Sequence, residues 1–437
     1  MTNPSSPGSA ASDAAAVLRC APTIRERCAN ITRAVDAGAS AHFTLDRSRL
    51  GAVAQRVADV TRTRYPDPTR IPFHSRWRHF EAGGVDRKAE LDVRLEGRSP
   101  AAVARSRIDL ALVSVLLDAG AGAGWGYVEA ATGQRFARSE GLGVASLRAF
   151  MEGRFSSDPG DPYRVDAAAL MRLDAAALAQ MFQADGANPL VGLEGRAALL
   201  VRLGQALRDR PQTFTSTGQP GHLFDALTHH PHAPNLQHHH PRPTVMHHEV
   251  AAARILGLLL DAFSPIWPSG QWIGERGQEG SDALGDVWPH PAAGGHGASA
   301  GRVPFHKLSQ WLTYSLIEPF EWAGVKVSGL DDLTGLPEYR NGGLFIDAGV
   351  IVPRDPAFAA MLRTPGDEWV VEWRALTVSL LDNLAPRVRA ELGISPADMP
   401  LARMLEGGTW AAGRQIAAEL RPGGAPPVAI ESDGTVF

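Results

Sequence analysis

The stretch RIPFHSRWRHFEAGGVDR, residues 70–87, concentrates side chains that bind anions and stack on rings. It holds four arginines, two histidines, two acids and one tryptophan. Arginine forks bind phosphate or carboxylate through paired hydrogen bonds, and Gly83-Gly84 lets a backbone approach a ligand closely. We therefore predict a binding site here, with Trp77 as its stacking face. The other predicted lining residues are Arg76, Arg78, His79 and Glu81.

The same arginines also admit a purely structural explanation. In that alternative, Arg76 and Arg78 pair with nearby carboxylates and fasten a loop to a helical body. The available partners are Glu81, Asp86 and Glu90. Spacing alone does not separate a ligand site from such a network, so both interpretations stay open at the level of sequence.

Asp118 occupies a position that is unfavourable for an anion. It falls in the last turn of a predicted helix, where the macrodipole disfavours negative charge, so a compensating donor or a ligand is expected beside it. The glycine-rich stretch DAGAGAGWGY follows and brings in Trp125 and Tyr127 as stacking partners. The structural alternative is a polar helix end followed by a glycine-rich turn.

A third stretch, LTGLPEYRNGGLFIDAGV (residues 333–350), places a carboxylate at a predicted helix start. Pro337 suits the first turn, and Glu338 beside it is stabilised by the positive N-terminus, which is already a structural explanation for Glu338. Upstream, His306 and Lys307 lie near the start of the preceding helix, where a phosphate would also bind. A carboxylate opposite a cationic pocket can hold a sugar phosphate and stabilise a cationic ring.

The segment from His229 to His248 holds eight of the fifteen histidines. Neutral imidazole is the commonest zinc ligand, so a metal site is one interpretation. However, prolines separate the histidines, and no pair has the regular helical spacing that a zinc site uses. We predict a solvated loop, with no metal and no cofactor.

Helical periodicity dominates the elements that must position these residues. In RSRIDLALVSVLLDAG, apolar residues from Ile108 to Leu116 fall at helical spacing, and Gly120 is placed to end the helix. The spacing recurs in three segments: Leu142 to Phe150 before Gly153, Leu308 to Leu316 before Pro319, and Trp369 to Leu380 before Pro386. Period-two strand patterns are few, so the fold is predicted to be mainly α.

The composition is that of a globular protein with a substantial core, because 44% of the residues are hydrophobic. The 43 basic and 47 acidic residues give a net charge of −4, which argues against a protein that coats nucleic acid. Cys20 and Cys28 cannot form a disulfide scaffold or a cysteine metal site, which favours a reducing, cytoplasmic setting. No apolar run is long enough to span a bilayer.

We predict that residues 1–20 form a disordered tail and that residues 21–437 form a single catalytic helical domain. Residues 211–245 and 268–302 are rich in histidine, proline, glycine or alanine, and neither composition suits a buried core. Both are therefore predicted to be surface insertions in that domain.

Seven stretches carry a resemblance: FHSRWRHFEAGGVDR, VSVLLDAGAG, FARSEGLGVASL, NPLVGLEGRAALL, VPFHKLSQWLTYSLIEP, LTGLPEYRNGGLF and LEGGTWAAGRQIA. Together they resemble the uracil-catabolism protein family of fungi and bacteria, the fourth protein of the URC pathway. The resemblance runs from about Arg25 to Phe437, and the histidine-rich segment is the clear departure. It implies action on ribosylurea, or its phosphate, left after the pyrimidine ring has been opened and trimmed.

A more distant resemblance concerns LGVASLRAFMEG, NPLVGLEGRAALLVRLGQAL, FHKLSQWLTYSL and LPEYRNGGLFIDAG. These stretches are similar, in the same order, to segments of the queuosine 5′-phosphate N-ribohydrolase family, which is related in fold to helix-hairpin-helix DNA glycosylases. In that family an Asp-Tyr-Arg segment supplies the catalytic aspartate. The matching triplet here is Glu338-Tyr339-Arg340. A glutamate thus replaces the aspartate, which keeps the negative charge but lengthens the side chain. Both resemblances imply hydrolysis of the C1′–N bond of a ribosyl compound.

The resemblances also imply roles for individual residues. Glu338 would stabilise an oxocarbenium-like sugar and orient or deprotonate water, with Asp347 as the alternative carboxylate. Urea is a poor leaving group and needs a proton donor. The candidates for that donor, in order of preference, are Asp118, Glu140 and His79. The predicted phosphate ligands are Arg76, Arg78, His306 and Lys307, while Trp125 covers the base side and Trp77 and Arg340 complete the binding set.

The expected partner is a small ribosyl substrate, without nucleic acid or membrane, and the oligomeric state stays open. Three other functions remain alternatives. The protein could be an amidohydrolase that cuts the urea moiety. It could bind DNA or RNA, which the charge balance opposes. It could also be a non-catalytic, ligand-binding subunit for other enzymes of the pathway.

Overall fold

The structure is a computed structural model that describes residues 7–118, 120–229, 248–267, 271–278 and 281–431. It is mainly helical, which confirms the predicted fold class. The α-helices of these ranges are α1 (Pro7–Leu18), α2 (Ala21–Asp36), α3 (Leu50–Arg64), α4 (Trp77–Phe80), α5 (Arg87–Arg94), α6 (Pro100–Leu116), α7 (Arg138–Met151), α8 (Ala167–Leu170), α9 (Ala175–Met181), α10 (Leu193–Arg208), α11 (Pro211–Phe214), α12 (Leu223–Thr228), α13 (Ala252–Phe263), α14 (Lys307–Trp322), α15 (Tyr339–Asp347), α16 (Glu368–Leu392), α17 (Leu401–Met404) and α18 (Trp410–Leu420). A π-helical turn, Leu405–Thr409, separates α17 from α18. None of the described helices combines the length and the apolar character that crossing a membrane requires. The glycosylase-like fold stays a prediction.

Short strands pair in twos across the described ranges. They are β1 (Phe43–Leu45), β2 (Tyr127–Val128), β3 (Arg135–Phe136), β4 (Glu249–Ala251), β5 (Gln271–Ile273), β6 (Asp282–Gly285), β7 (Val287–Pro289), β8 (Arg302–Pro304), β9 (Lys326–Ser328), β10 (Ile351–Pro353), β11 (Leu362–Arg363) and β12 (Ala429–Ile430). The antiparallel pairs are β1–β10, β2–β3, β5–β6 and β7–β8, and the parallel pairs are β4–β9 and β11–β12. In the first pair Thr44 lies opposite Val352. Two-stranded pieces of this length fasten loops and form no core of their own.

The chain divides into two compact units, and each is assembled from separate stretches of sequence. Unit 1 comprises Met1–His74, Trp267–Trp311 and Leu330–Phe437, and unit 2 comprises Ser75–Ile266 and Leu312–Gly329. Helix α14 begins in unit 1 and ends in unit 2. The single domain expected for residues 21–437 therefore stays a prediction.

A buried ion pair organises unit 1. The Asp286 carboxylate accepts two hydrogen bonds from the Arg374 guanidinium, at 2.8 and 2.7 Å, and a third from the Trp288 indole at 2.7 Å. It also accepts the backbone N–H of Lys307 at 3.0 Å and so caps the start of α14. Burial by itself would raise the pKa of Asp286, but the charge and hydrogen bonds of Arg374 outweigh it and hold that pKa at about 2.

A hydrophobic cluster in unit 1 joins α2, β7, β8 and α16. Its members are Ile24, Cys28, Ile31, Trp288, Ala293, Val303, Phe305, Val371, Ala375 and Val378. The Arg374 guanidinium lies 4.1 Å from the centre of the Phe305 ring. Burial raises the pKa of the Cys28 thiol, so this cysteine is a neutral packing residue.

Unit 2 contains a buried ion pair of its own. Arg87, the last arginine of the 70–87 stretch, donates to both oxygens of Glu129 at 2.7 and 2.5 Å. Arg148 donates to the same carboxylate at 2.6 Å. Burial would raise the pKa of Glu129, but the hydrogen bonds from these arginines and from Thr132 lower it to about 2. Part of the hydrogen-bonding capacity of the 70–87 stretch is therefore used inside the fold.

Helical periodicity predicted α6, α7, α14 and α16, but three of their ends differ from expectation. Helix α6 ends at Leu116, before Gly120, whereas α14 and α16 continue through Pro319 and Pro386. A proline inside a helix leaves the carbonyl four residues earlier without its usual donor. For Pro319 that carbonyl belongs to Ser315, and the indole N–H of Trp77 donates to it at 3.0 Å. The substitute donor allows α14 to continue.

The predicted tail and insertions also differ from the structure. Residues 7–18 form α1, whose Ala15 and Leu18 pack in a core cluster with Leu284 and Val287. The described part of 268–302 therefore contributes to the core, through the buried residues Ile273, Ala283, Leu284, Val287, Trp288 and Ala293. Within 211–245, α11 and α12 bury apolar side chains, among them Phe214. The histidine-rich residues 230–247 lie outside the described residues.

The Asp286–Arg374 pair predicts a large and pH-dependent contribution to stability. Asp286→Asn should lower the free energy of unfolding by about 3 kcal/mol or more, because it leaves a buried guanidinium opposite a neutral amide. Since the folded-state pKa of Asp286 is lowered to about 2, its contribution is present above about pH 4 and is lost as the pH falls towards 2. Urea titrations at pH 7 and pH 3 measure both effects.

The exposed pair Asp36–Arg47 in the same unit is the matched control. Asp36→Asn should change the free energy of unfolding by roughly 0–1 kcal/mol at either pH, since exposed ion pairs contribute little. Equal losses in the two variants would contradict the role assigned to Asp286.

Candidate active site

Glu338 caps the N-terminus of α15 with its side chain. Its Oε1 accepts the backbone N–H of Asn341 at 2.6 Å, and its Oε2 accepts that of Arg340 at 2.7 Å. The residue has an extended backbone and is half-buried. Pro337 precedes this cap and so lies outside the first helical turn where it was expected. The predicted position of Glu338 at a helix start is confirmed, and its side chain satisfies two backbone donors of the first turn.

The loop that leads to Glu338 is fixed by α14. Gln310 accepts the backbone N–H of Thr334 at 2.8 Å and donates to the Thr334 hydroxyl at 2.5 Å. On the far side of the loop, the buried Asn341 side chain donates to the Leu336 carbonyl at 3.2 Å. The carboxylate of Glu338 is therefore held both by its own helix and by a side chain of α14 that restrains the preceding loop.

Close helix packing against α15 requires two glycines. A Cβ on Gly413 of α18 would lie 2.1 Å from the Arg340 carbonyl oxygen. A Cβ on Gly342 would lie 2.4 Å from the ring of Trp373, whose indole N–H donates to the Gly342 carbonyl at 3.2 Å. These contacts place α18 and α16 directly against the first turn behind Glu338.

Asp347, the alternative catalytic carboxylate, lies at the other end of α15. Both of its oxygens bind the Arg421 guanidinium, at 2.8 and 2.5 Å, and its side chain is only 3% exposed. Arg340 donates to the Gly424 carbonyl at 2.9 Å. Asp347 therefore has a clear structural role as the partner of Arg421, whereas Glu338 accepts hydrogen bonds from backbone N–H groups.

His306 and Lys307 lie at the start of α14 as predicted, but the helix terminus already holds an anion. The backbone N–H of Lys307 binds the Asp286 carboxylate, which takes the place expected for a phosphate. His306 is buried, its Nε2 lies 2.9 Å from the Leu18 carbonyl, and burial lowers its pKa. Lys307 is half-buried, and its ammonium lies 5.9 Å from the centre of the Trp311 ring.

Unit 1 also contains a pair of an imidazole and a carboxylate that the sequence analysis did not predict. The Nδ1 of His74 lies 2.9 Å from Oε2 of Glu406, which belongs to the π-helical turn. Arg64 and Tyr65 donate to the other oxygen of Glu406, at 3.0 and 3.2 Å. Burial would raise the pKa of Glu406, but the hydrogen bond to His74 and the charges of His74 and Arg64 lower it.

Two tryptophans lie beside this pair. The His74 ring centre is 6.5 Å from that of Trp311 and 6.4 Å from that of Trp410. Lys307 lies over the Trp311 ring, and the Arg414 guanidinium lies 5.5 Å from the centre of the Trp410 ring. Aromatic surface, an imidazole, a carboxylate and two cations therefore meet in one region of unit 1.

The signal for Glu406 in the sequence was the pair Gly407-Gly408 that follows it. A Cβ on Gly408 would lie 2.6 Å from a Val57 methyl carbon and 2.8 Å from the Val57 carbonyl oxygen. Such a pair indicates close backbone packing, and a carboxylate beside it is held rigidly. The partner His74 was not predictable, because 332 residues separate it from Glu406.

In unit 2, the structure brings Arg76 and Asp118 together. Arg76 is fully buried and donates to Asp118 at 2.6 Å, to the Ser114 hydroxyl at 2.7 Å and to the Ser139 carbonyl at 3.2 Å. Burial lowers the pKa of Arg76, while Asp118 and Glu140 oppose that shift. Asp118 follows the end of α6, and the compensating donor expected beside it is Arg76.

Both tryptophans predicted to stack on a ligand lie in the core of unit 2. Trp77 is buried, donates to Ser315 and packs edge-on against Phe80. Trp125 is also buried, and its indole N–H donates to the Phe182 carbonyl at 3.0 Å. Their indole N–H groups satisfy backbone carbonyls, which explains both residues structurally.

Arg78 also takes part in a network. It pairs with Glu81 at 2.9 Å and donates to the buried Glu318 at 2.7 Å. Of the partners proposed for a structural network, only Glu81 binds Arg78. Asp86 caps α5 instead, and Glu90 binds a different arginine.

His79 and Glu140 are half-buried. His79 packs against α7, where a Cβ on Gly143 would lie 2.8 Å from its own Cβ, and Glu140 lies in the first turn of that helix. The predicted site residues thus fall into two groups. Unit 1 holds Glu338, Arg340, Asp347, His306 and Lys307, and unit 2 holds Arg76, Trp77, Arg78, His79, Asp118, Trp125 and Glu140.

The surroundings of Arg76 predict that it stabilises the fold. Arg76→Lys should lower the free energy of unfolding by about 2 kcal/mol or more, because an ammonium cannot reach Ser114, Asp118 and Ser139 together. Arg78→Lys is the control, since a lysine can still pair with Glu318 at this partly exposed site, and its loss should stay within roughly 1 kcal/mol. If Arg76→Lys weakened ligand binding without a loss of stability, the ligand-site interpretation would replace this one.

The chain matches known proteins over nearly its whole length. Residues 17–437 match the family described as "Protein of unknown function (DUF1688)". "Uracil catabolism protein 4" of Lachancea kluyveri is 38% identical over 426 residues, which cover 92% of this chain and 93% of the relative. "Protein urg3" of Schizosaccharomyces pombe is 38% identical over 423 residues, which cover 95% and 96%. The chain therefore belongs to the DUF1688 family, the uracil-catabolism family that its sequence motifs indicated.

Proposed function

We propose that this protein is an N-ribosyl hydrolase of uracil degradation. It cleaves the C1′–N bond of ribosylurea, or of ribosylurea 5′-phosphate, and releases urea and ribose or ribose phosphate. The observation that carries the proposal is the half-buried carboxylate of Glu338, which two backbone N–H groups orient. The relative named a uracil catabolism protein supports the pathway.

The chemistry requires a fixed negative charge below the sugar. Hydrolysis of a C1′–N bond passes through an oxocarbenium-like ribosyl cation, which a nearby carboxylate stabilises. Each oxygen of Glu338 accepts one backbone N–H and keeps a second lone pair for water or for the sugar. The carboxylate is oriented before substrate arrives, so it needs no rearrangement as the positive charge develops.

A 5′-phosphate would require a cation near this carboxylate. In unit 1, Lys307 is the predicted phosphate ligand that is only half-buried, and its neighbour His306 is enclosed and bonded to Leu18. Lys307 therefore supports the phosphorylated substrate. The arginines of unit 2 support it less, because Arg76 and Arg78 already bind carboxylates.

Removing the charge of Glu338 tests the proposal. Glu338→Gln should lower turnover of ribosylurea or its phosphate about a hundredfold or more, a loss of roughly 3 kcal/mol in transition-state stabilisation, while substrate binding survives. Glu338→Asp should retain partial activity, since it keeps the charge and shortens the reach. Urea, ammonia and ribose products are quantified after incubation of the purified protein with each synthetic substrate.

Glu338 also caps a helix, so a second cap serves as the control. Asp174 caps α9 in the same way, accepting the N–H of Ala177 at 2.7 Å, and is exposed. Asp174→Ala removes that cap and should cost about 1 kcal/mol of stability, with no loss of turnover. Ammonia in place of urea would indicate an amidohydrolase. Full activity of both Glu338→Gln and Asp347→Asn would end the proposal.

A further inference from the structure

His74 has one ring nitrogen engaged and one available. Nδ1 faces the Glu406 carboxylate at 2.9 Å, and no described residue forms a hydrogen bond with Nε2. The residue as a whole is 9% exposed, so most of the ring lies within the fold. A carboxylate on Nδ1 orients the ring and leaves Nε2 as the nitrogen that can transfer a proton to a ligand. Such a histidine is suited to proton transfer.

Glu406 is itself held in place by a further layer of donors. Arg64 binds its Oε1 and also donates to the backbone carbonyls of Glu406 and Gly407 in the π-helical turn. Tyr65 adds a hydrogen bond to the same Oε1. The π-helical turn fixes the direction of the Glu406 side chain, and π-turns are frequent at functional sites. Arg64 therefore holds Glu406, and Glu406 in turn orients the His74 ring.

Helix α14 connects this group to Glu338. Trp311 lies beside the His74 ring, and the adjacent Gln310 holds Thr334 in the loop that ends at Glu338. Two adjacent residues of α14 therefore contact the two sites: Trp311 packs beside the His74 ring, and Gln310 restrains the loop that ends at Glu338.

Helix α18 provides a second connection within unit 1. Trp410, its first residue, lies beside the His74 ring. Gly413, nearly one turn later, packs on the Arg340 carbonyl, and the Arg340 N–H binds Glu338. The two helices bring His74 and Glu338 into the same part of unit 1.

One carboxylate and three cations surround His74. Glu406 is the carboxylate in direct contact with the ring. The nearby cations are Arg64, which binds Glu406, and Lys307 and Arg414, which lie over the neighbouring tryptophan rings. Tyr65 contacts the remaining Glu406 oxygen.

We infer that His74, positioned by Glu406, donates the proton to the urea nitrogen as the C1′–N bond breaks. This inference rests on the proposed function. The bonding electrons move to nitrogen, which takes the proton from Nε2 of His74. Water adds to C1′ and gives up a proton to Glu338, and exchange with solvent then reprotonates His74 and deprotonates Glu338. Asp118, preferred for this role from the sequence, already binds Arg76 at 2.6 Å.

Two substrates separate the role of His74 from that of Glu338. The urea of ribosylurea must be protonated as it leaves the sugar. The fluoride of ribosyl fluoride departs as an anion and needs no proton. His74→Asn keeps a donor towards Glu406 and removes the transferable proton, so turnover of ribosylurea should fall about a hundredfold or more. Turnover of ribosyl fluoride should stay within about threefold of the wild-type value. Glu338→Gln should lose both.

Glu406→Gln tests the positioning residue with the same pair of substrates. It should lose about tenfold or more on ribosylurea and little on ribosyl fluoride, a difference that a purely structural defect would not produce. Glu419→Gln, at an exposed glutamate of α18 that pairs with Arg56, is the matched control and should be close to wild type on both.

The outcomes distinguish this inference from the proposed function. Wild-type protein that releases no urea from ribosylurea would overturn the proposed function and the inference together. Active wild-type protein, with His74→Asn losing equally on both substrates or on neither, would overturn the acid role alone. Circular dichroism and thermal unfolding of each variant show whether an equal loss comes from misfolding, in which case His74 is a structural residue.

Discussion

The Asp286–Arg374 ion pair fixes the point at which α14 begins. The carboxylate of Asp286 accepts the N–H of Lys307, the first residue of the helix, while Arg374 anchors that carboxylate to α16. Successive residues of an α-helix are rotated by roughly 100°, so a start displaced by one residue would turn every side chain by that amount. Trp311 would then leave His74, and Gln310 would leave the loop before Glu338. The buried pair thus determines the rotational position of α14, on which the contacts of Trp311 and Gln310 with the proposed catalytic groups depend.

Local patterns in the sequence predicted the mainly α fold, because the spacing of apolar residues indicates a helix with one buried face. Their ends were less predictable, since they depend on partners far away in the chain. Pro319 would ordinarily end α14, but the Trp77 indole satisfies the carbonyl that this proline leaves without a donor. The segment 268–302 was predicted to be a surface insertion because it is rich in glycine, proline and alanine. Several of its apolar residues, Leu284 and Val287 among them, are nevertheless buried in a core.

The position of Glu338 could be predicted for the same reason, because a carboxylate at a helix start satisfies donors within three residues of itself. The pair His74–Glu406 could not, since neither residue has a local pattern that indicates the other. The arginines of the 70–87 stretch show why residue types alone do not identify a site. Their number suggested a ligand, yet Arg76, Arg78 and Arg87 bind carboxylates of the protein itself. Residue types show how many hydrogen bonds a stretch can make. Only the fold determines whether a ligand or another part of the protein accepts them.

The interleaving of the two units imposes an order on synthesis. Unit 2 is complete once the ribosome has passed Gly329, but unit 1 needs the segment Leu330–Phe437. Glu406, in the π-helical turn, follows His74 by 332 positions in the sequence. A nascent chain therefore carries the imidazole long before it carries the carboxylate that orients it. The acid–base pair is assembled only after the third segment of unit 1 has been translated, when all segments of unit 2 already exist.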